Sequence, residues 1–270
     1  MEKDPARPKI PRIEQLKNNL KAWNYYYWLI FFVIIPFVIL LIYALPQTIK
    51  NEYFVFYTSD PLRLLTYVLS SYTHTELYPH LVGNLALYLI TMFAIFAFEN
   101  NKKRFHLIAA CSLFIVPVIC SCLTIGLWHF FGTSTALQGF SGINAAFLAY
   151  AFMIGITWFL SGGLEMFDHR ESFTGPAWRR FLLYALMTII VASVVLLGIL
   201  EGIFIPGSNA ISNGIAHFGG FITGLIAFCI VDLMIEKRKI FDGILIILII
   251  IGIISYIGYL IIFVKAIKGL

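Results

Sequence analysis

The chain has 270 residues, of which 60% are hydrophobic and only 12% charged, and its mean hydropathy is +0.88. A soluble domain carries about 25% charged residues, so this composition excludes a water-soluble globular enzyme, a disordered protein and a fibrous protein. It leaves a polytopic membrane protein, in which the net charge of +5 matters only through the loops that carry it.

In chain order, residues 1–24 read as a basic tail containing Pro5, Pro8 and Pro11. Its Glu2, Asp4 and Glu14 argue against a mitochondrial transit peptide, and no secretory signal is expected. Seven apolar runs long enough to span a bilayer follow, near 25–45, 80–98, 106–127, 140–160, 181–203, 212–235 and 240–264. Backbone groups in lipid have to be satisfied within their own segment, so all seven are predicted as helices and the fold class is all-α. Between the first two runs, Asp60-Pro61 offers an acidic cap with proline behind it, and Leu62, Leu65 and Leu69 repeat at helical spacing. A short helix lying in the outer interface is predicted there.

The basic residues set an orientation. Fifteen fall on one side: Lys3 to Lys21 in the tail, Lys102 to Arg104, Arg170 to Arg180, and Lys237 to Lys239. Four fall on the other: Lys50, Arg63, Lys265 and Lys268. The positive-inside rule then predicts a multi-pass cell-membrane protein with a cytoplasmic N-terminus and an outer C-terminus. Cys111, Cys120, Cys122 and Cys229 all lie in apolar runs and read as small buried residues without a metal or disulfide pattern.

Polar groups inside spans are costly, so each is a functional candidate. The second run opens with His80 and Asn84, the fourth with Gly139-Phe140-Ser141-Gly142, and the sixth with Ala216-His217-Phe218-Gly219-Gly220, with Gly224 one turn on. His80 stands 19 residues before Glu99, Ser141 stands 20 before Ser161, and His217 stands 19 before Glu236. At about 1.5 Å per residue, three independent helices place these groups at one level, roughly 28–30 Å above the inner boundary.

The residue types suit acyl transfer. A serine hydroxyl is a weak nucleophile until a neighbour takes its proton, and His217 fits that role for Ser141. No Asp or Glu lies at this depth, so the pair would be a dyad. His80 and Asn84 share a helical face and could donate to a developing oxyanion, as could the Ser141 N–H at a helix start. Gly139 and Gly142 allow close backbone approach, and Gly220-x-x-x-Gly224 is a small-residue face for packing the sixth helix, most naturally on the fourth. Singly, each feature has a bland explanation. A serine in a membrane helix bonds its own preceding turn, an asparagine is interhelical glue, and a histidine near a span end meets water. The conjunction at one depth is what favours chemistry.

Other schemes fit poorly. There is no H-E-x-x-H and no pair of intramembrane aspartates. Asp232 is solitary and would offset the basic loop beside it. His74, His80, His129 and His217 share the outer side, but no spacing supports a zinc site. His106 and His169 read as solvated loop residues.

His80-x-x-x-Asn84 on the second run, Gly139-x-Ser141-Gly142 on the fourth and Ala216-His217-x-x-Gly220-x-x-x-Gly224 on the sixth together resemble the rhomboid intramembrane serine proteases. The resemblance covers roughly residues 25–235 and implies a six-helix rhomboid-like catalytic core. Residues 236–270 would be a cytoplasmic loop and an added seventh transmembrane helix. It implies a Ser141 nucleophile, a His217 general base and an oxyanion hole from His80, Asn84 and the Ser141 backbone. It also implies a water-filled cavity open to the outer side, transmembrane protein substrates cut near their outer ends, no metal, no cofactor and no nucleic-acid partner. The first outer loop of the family commonly carries Trp-Arg. Here it is Leu62-Arg63, and the arginine would tie down loop carbonyls. Two alternatives stand beside this expectation. One is a non-proteolytic rhomboid-like protein that binds membrane clients. The other is a transporter, disfavoured because the polar cluster lies away from the midplane and no repeat is evident.

Overall fold

A computed structural model describes residues 12–74, 76–131, 136–168 and 208–236. The predicted spans 181–203 and 240–264 lie outside them. Helix α1 (Arg12–Ala22) falls within the segment expected as a tail. It is anchored to the bundle: Asn19 Nδ2 donates to the Ala97 carbonyl at 3.0 Å, and Trp23 Nε1 donates to the Phe96 carbonyl at 2.8 Å. Both carbonyls belong to a helix C-terminus, where backbone acceptors lack partners of their own.

The second helix, α2, runs over Tyr25–Ala44. A wide turn at Ile30–Ile34 precedes Pro36, whose ring and missing N–H do not fit regular helical bonding. It ends at Leu45, held extended by Pro46. Ile30, Val33, Phe37 and Leu41 recur at helical spacing and are 42–57% exposed. An apolar stripe facing outward suits lipid and would be unstable in water.

Three short elements were not evident in the sequence. A helical segment, α3 (47–54), follows Pro46, and β1 (Phe56–Tyr57) pairs antiparallel with β2 (Ala136–Leu137), Phe56 opposite Leu137. The interfacial helix expected from Asp60-Pro61 begins instead at Thr66. Helix α4 covers Thr66–Leu69 and tightens into a 3₁₀ turn at Ser70–Tyr72. The reason is local. The Asp60 carboxylate pairs with Arg63 Nε at 2.7 Å, and the Asp60 N–H turns back to the Tyr57 carbonyl at 3.0 Å. The cap is therefore engaged elsewhere, and Leu62, Leu64 and Leu65 are all strongly exposed, forming no single face. Arg63 also donates to the Glu52 carbonyl at 3.1 Å.

The bundle proper comprises α5 (Val82–Phe98), α6 (102–131), α7 (Ser141–Asp168) and α8 (Ser208–Glu236). Irregular backbone at Tyr78, just ahead of Pro79, precedes α5. In α6 a wide turn at Cys111–Ile115 precedes Pro117. Proline cannot donate to the Leu113 carbonyl, and the Tyr72 hydroxyl donates to it at 2.5 Å. Tyr25–Ala44, Lys102–Gly126 and Ser141–Trp158 are long and apolar enough to cross a membrane, and Val82–Phe98 and Ala216–Asp232 are shorter apolar helices. The described residues are thus those of an all-α protein with membrane-compatible helices. The larger of two apolar clusters among the described residues has Tyr88, Met92 and Phe96 of α5 meeting Phe105 of α6, Phe147 and Tyr150 of α7 and Phe228 of α8, and the smaller joins Phe56 and Leu137 to Val116, Cys120, Ala146 and Ala216.

Among the described residues, the closest backbone approach at a glycine is between α7 and α8. A side chain at Gly220 would overlap the Gly142 carbonyl, and one at Gly224 would stand 2.5 Å from the Ala146 carbonyl. Only glycine permits this backbone approach.

The ends of the bundle away from Ser141 carry a buried charge cluster. Arg104 donates from Nε to Glu99 Oε2 at 2.8 Å, from Nη2 to Glu99 Oε1 at 3.0 Å, and from Nη1 to Asp232. Tyr150 donates to Glu99 at 2.6 Å, as does the Asn101 N–H. Arg104 is therefore not a free loop cation, and Asp232 is paired across helices rather than solitary. His106 is exposed, but its Nε2 shares a hydrogen bond of 2.8 Å with the Tyr27 hydroxyl. Of the cysteines, Cys120 and Cys229 are buried, Cys111 is half-buried and Cys122 is exposed, because α6 turns that face outward.

Candidate active site

Ser141 is the first residue of α7. The Asn144 N–H closes the first turn on the Phe140 carbonyl at 3.0 Å, so the N–H groups of Ser141, Gly142 and Ile143 precede any intrahelical bond. Three ties hold the strand that delivers this turn. The β1–β2 pair fixes Leu137, the Gly139 N–H donates to the Ser70 carbonyl at 2.9 Å, and the Phe140 N–H donates to His74 Nε2 at 3.3 Å. Gly139 has φ +121°, a region that side chains with a Cβ rarely enter, and it makes the reversal from strand to helix.

His217 lies on the facing turn of α8. A Cβ at Gly142 would stand 3.1 Å from the Ala216 carbonyl, so the sequence neighbours of Ser141 and His217 are in contact. Both side chains are half-buried. No hydrogen bond joins them among the described residues, and His217 Nδ1 is buried without a hydrogen-bond partner there. Catalytic hydrogen bonds in free enzymes are frequently long and tighten only around substrate.

Asn84 lies near the start of α5. Its Nδ2 is 3.0 Å from His74 Nε2, and Asn144 Nδ2 donates to its backbone carbonyl at 2.8 Å and to its Oδ1 at 3.2 Å. His80 is placed differently from its predicted partner. Its side chain is 54% exposed and lies 3.9 Å from the Glu76 carboxylate. It is still close enough to act electrostatically on both His74 and His217. The structure thus brings Ser141, His217, Asn84 and His80 to one end of three helices, with Asn84 half-buried and His80 exposed.

Two further residues belong to this cluster. His74 is 4% exposed and Asn144 is 1% exposed. Asn144 could have been found by the same rule that singled out Asn84, since it is a polar group one turn into a predicted span. His74 carried no such signal, because its contacts come from chain positions 10 and 66 residues away. Burial pushes its imidazole from the ordinary 6.5 down to about 4, and the charges of His80 and Lys50 act in the same direction. Lys50, read from sequence as an outer loop cation, is buried and donates to the Tyr43 carbonyl at 3.1 Å and the His74 carbonyl at 3.5 Å.

Among the described residues, no three His, Cys, Asp or Glu side chains converge as metal ligands. Chemically, the cluster offers a hydroxyl, a neighbouring imidazole and a set of neutral N–H donors around them. Comparison with known proteins finds no matching family model, no matching curated protein and no matching solved structure.

Proposed function

We propose that the chain is a rhomboid-type intramembrane serine endopeptidase that hydrolyses peptide bonds in or near transmembrane helices of membrane proteins. The observation that carries this reading is the contact between the first turn of α7 and the stretch of α8 around Ala216 and Gly220. It is built on glycine, and it sets Ser141 against the helix bearing His217. Ser141 Oγ attacks the scissile carbonyl while His217 takes its proton, then returns it to the leaving amine. The negative charge on the carbonyl oxygen is met by N–H donors: the Ser141 N–H at the helix start, the Asn84 amide and His80. An acyl-enzyme forms and water releases it.

The outward-facing apolar stripe of α2 supports a lipid setting, as do the three helices long enough to cross it. The charge asymmetry of the loops supports a cytoplasmic N-terminus, an outer C-terminus and a catalytic cluster opening on the outer side. The six-helix core with one added helix is part of the same proposal.

The test is cleavage of a labelled transmembrane substrate by detergent-purified protein. Wild type should cut it. Ser141→Ala and His217→Ala should each abolish cutting, and the double variant should be no worse than either, because groups acting as one unit are non-additive. Retained cutting in Ser141→Ala removes the nucleophile assignment. A folded wild type that binds transmembrane segments without cutting them favours the client-binding alternative.

A further inference from the structure

An Asn side-chain amide can serve an oxyanion only if its orientation is fixed. Asn84 Nδ2 carries two hydrogens. One points to His74 Nε2 at 3.0 Å, and the Oδ1 on the other side of the amide is met by Asn144 Nδ2 at 3.2 Å. Held at both ends, the amide cannot turn over, and its second N–H has a defined direction.

His74 Nε2 also accepts the Phe140 N–H at 3.3 Å. A nitrogen facing two donors carries its lone pair, so the ring is neutral with its proton on Nδ1. Phe140 immediately precedes Ser141, and an added Cβ at Gly139 would stand 3.9 Å from both His74 Nε2 and Ser141 Oγ. One buried ring nitrogen therefore touches the side chain of one oxyanion donor and the backbone leading to another. The His74 carbonyl is itself held by Lys50 Nζ at 3.5 Å, which ties down the backbone that carries the ring.

We propose that His74 is a positioning residue of the site, whose Nε2 locks the Asn84 amide and the Phe140–Ser141 backbone into one fixed spacing. It touches no substrate and transfers no proton. The inference rests on the protease reading above and adds to it a residue placed outside the predicted dyad and oxyanion hole. Burial supports it, because a ring kept well below its ordinary pKa stays an acceptor at neutral pH.

The test compares His74→Leu, His74→Asn and His74→Gln with wild type and Ser141→Ala. Leu fills the volume without an acceptor. Asn places its acceptor near the Nδ1 position, where it misses both donors, and it serves if the Leu variant does not fold. Gln can place an oxygen where Nε2 stood. Leu and Asn should lower kcat by about 10²-fold, the size expected of a misplaced catalytic group, with KM within about twofold. Gln should restore most of kcat. Hydrogen exchange across residues 136–144 should be faster in Leu and Asn and near wild type in Gln. Unchanged kcat in Leu and Asn, a Gln variant as poor as Leu, or an effect on KM alone overturns the inference. Cutting that persists in Ser141→Ala instead overturns the protease reading. The exchange measurement then judges the His74 tie by itself, and unaltered exchange in Leu and Asn rejects it.

Discussion

The two ends of the α5–α7–α8 group are built on opposite principles. At one end, Glu99, Arg104, Asp232 and Tyr150 form a charged cluster in which both oxygens of Glu99 have two partners each. At the other, the groups are neutral or weakly basic: Ser141, His217, His74, Asn84 and Asn144. Several of their buried atoms have no hydrogen-bond partner among the described residues, including His74 Nδ1, Asn144 Oδ1 and His217 Nδ1. Asn84 on α5 and Glu99 at its C-terminal cap are 15 residues apart, as are His217 and Asp232 on α8, or about 22 Å at the rise of a helix. Saturated hydrogen bonding locks a structure, whereas unpaired donors and acceptors are a cost that a fold retains where chemistry uses them. The charged end holds the helices in register, and the neutral end spends that rigidity on a reacting group.

The strongest way to break this contrast is at the charged end. Arg104→Ala leaves the buried Glu99 carboxylate and the half-buried Asp232 carboxylate without their cation. It should cost about 3–5 kcal/mol of stability, the size seen when one partner of a buried ion pair is removed. Thermal unfolding in detergent measures it. Whatever fraction stays folded should still cut substrate, because Arg104 lies a helix length from Ser141. Ser141→Ala should do the reverse, abolishing cleavage while leaving the unfolding midpoint where it was. Equal stability in Arg104→Ala would mean that the cluster is decoration.

A smaller effect sharpens the neutral end. The His74 pKa is about 4 in the folded protein against 6.5 ordinarily, so between these values the unfolded chain binds more protons than the native one. The stability that neutral His74 contributes is complete above about pH 6.5 and is lost as pH falls toward 4. The groups facing the ring are Lys50, His80, Asn84 and the Phe140 N–H, and none of them is an anion. The unfolding midpoint of wild type should therefore drop more steeply from pH 6.5 to pH 4 than that of His74→Gln. Parallel curves would show that the ring does not titrate with folding.

The helices were legible in the sequence because span length and hydropathy are local properties. Chain positions 25–45, 80–98, 106–127, 140–160 and 212–235 all fall on helix, and the ends differ by a few residues where capping and proline decide them. The contact of Gly142 with Gly220 was legible for the same reason, since small-residue spacing on one helix marks a close-packing face. The short helix at Asp60 failed because Arg63 claims the carboxylate that would have capped it, a competition that spacing does not reveal. Arg104 and Asp232 lie 128 residues apart, and Phe140 and His74 lie 66 apart. No periodicity within a helix reports such pairings, so Arg104 read as a loop charge and His74 as one of several outer histidines. Depth reasoning did carry information. Glu99 and Glu236 were placed at helix ends, but only the fold shows Glu99 turned inward onto Arg104.

The central claim is that the neutral end makes Ser141 a nucleophile through His217, and it can be tested without knowing any substrate. A fluorophosphonate probe reacts when a serine oxygen attacks phosphorus and expels fluoride, which requires an activated hydroxyl. Detergent-solubilised wild type should be modified once, and peptide mass spectrometry should place the adduct on Ser141. His217→Ala, shown to be folded by its unfolding midpoint, should lose the adduct. A folded wild type left unmodified at Ser141, or an adduct on Ser141 that persists undiminished in His217→Ala, would contradict the claim.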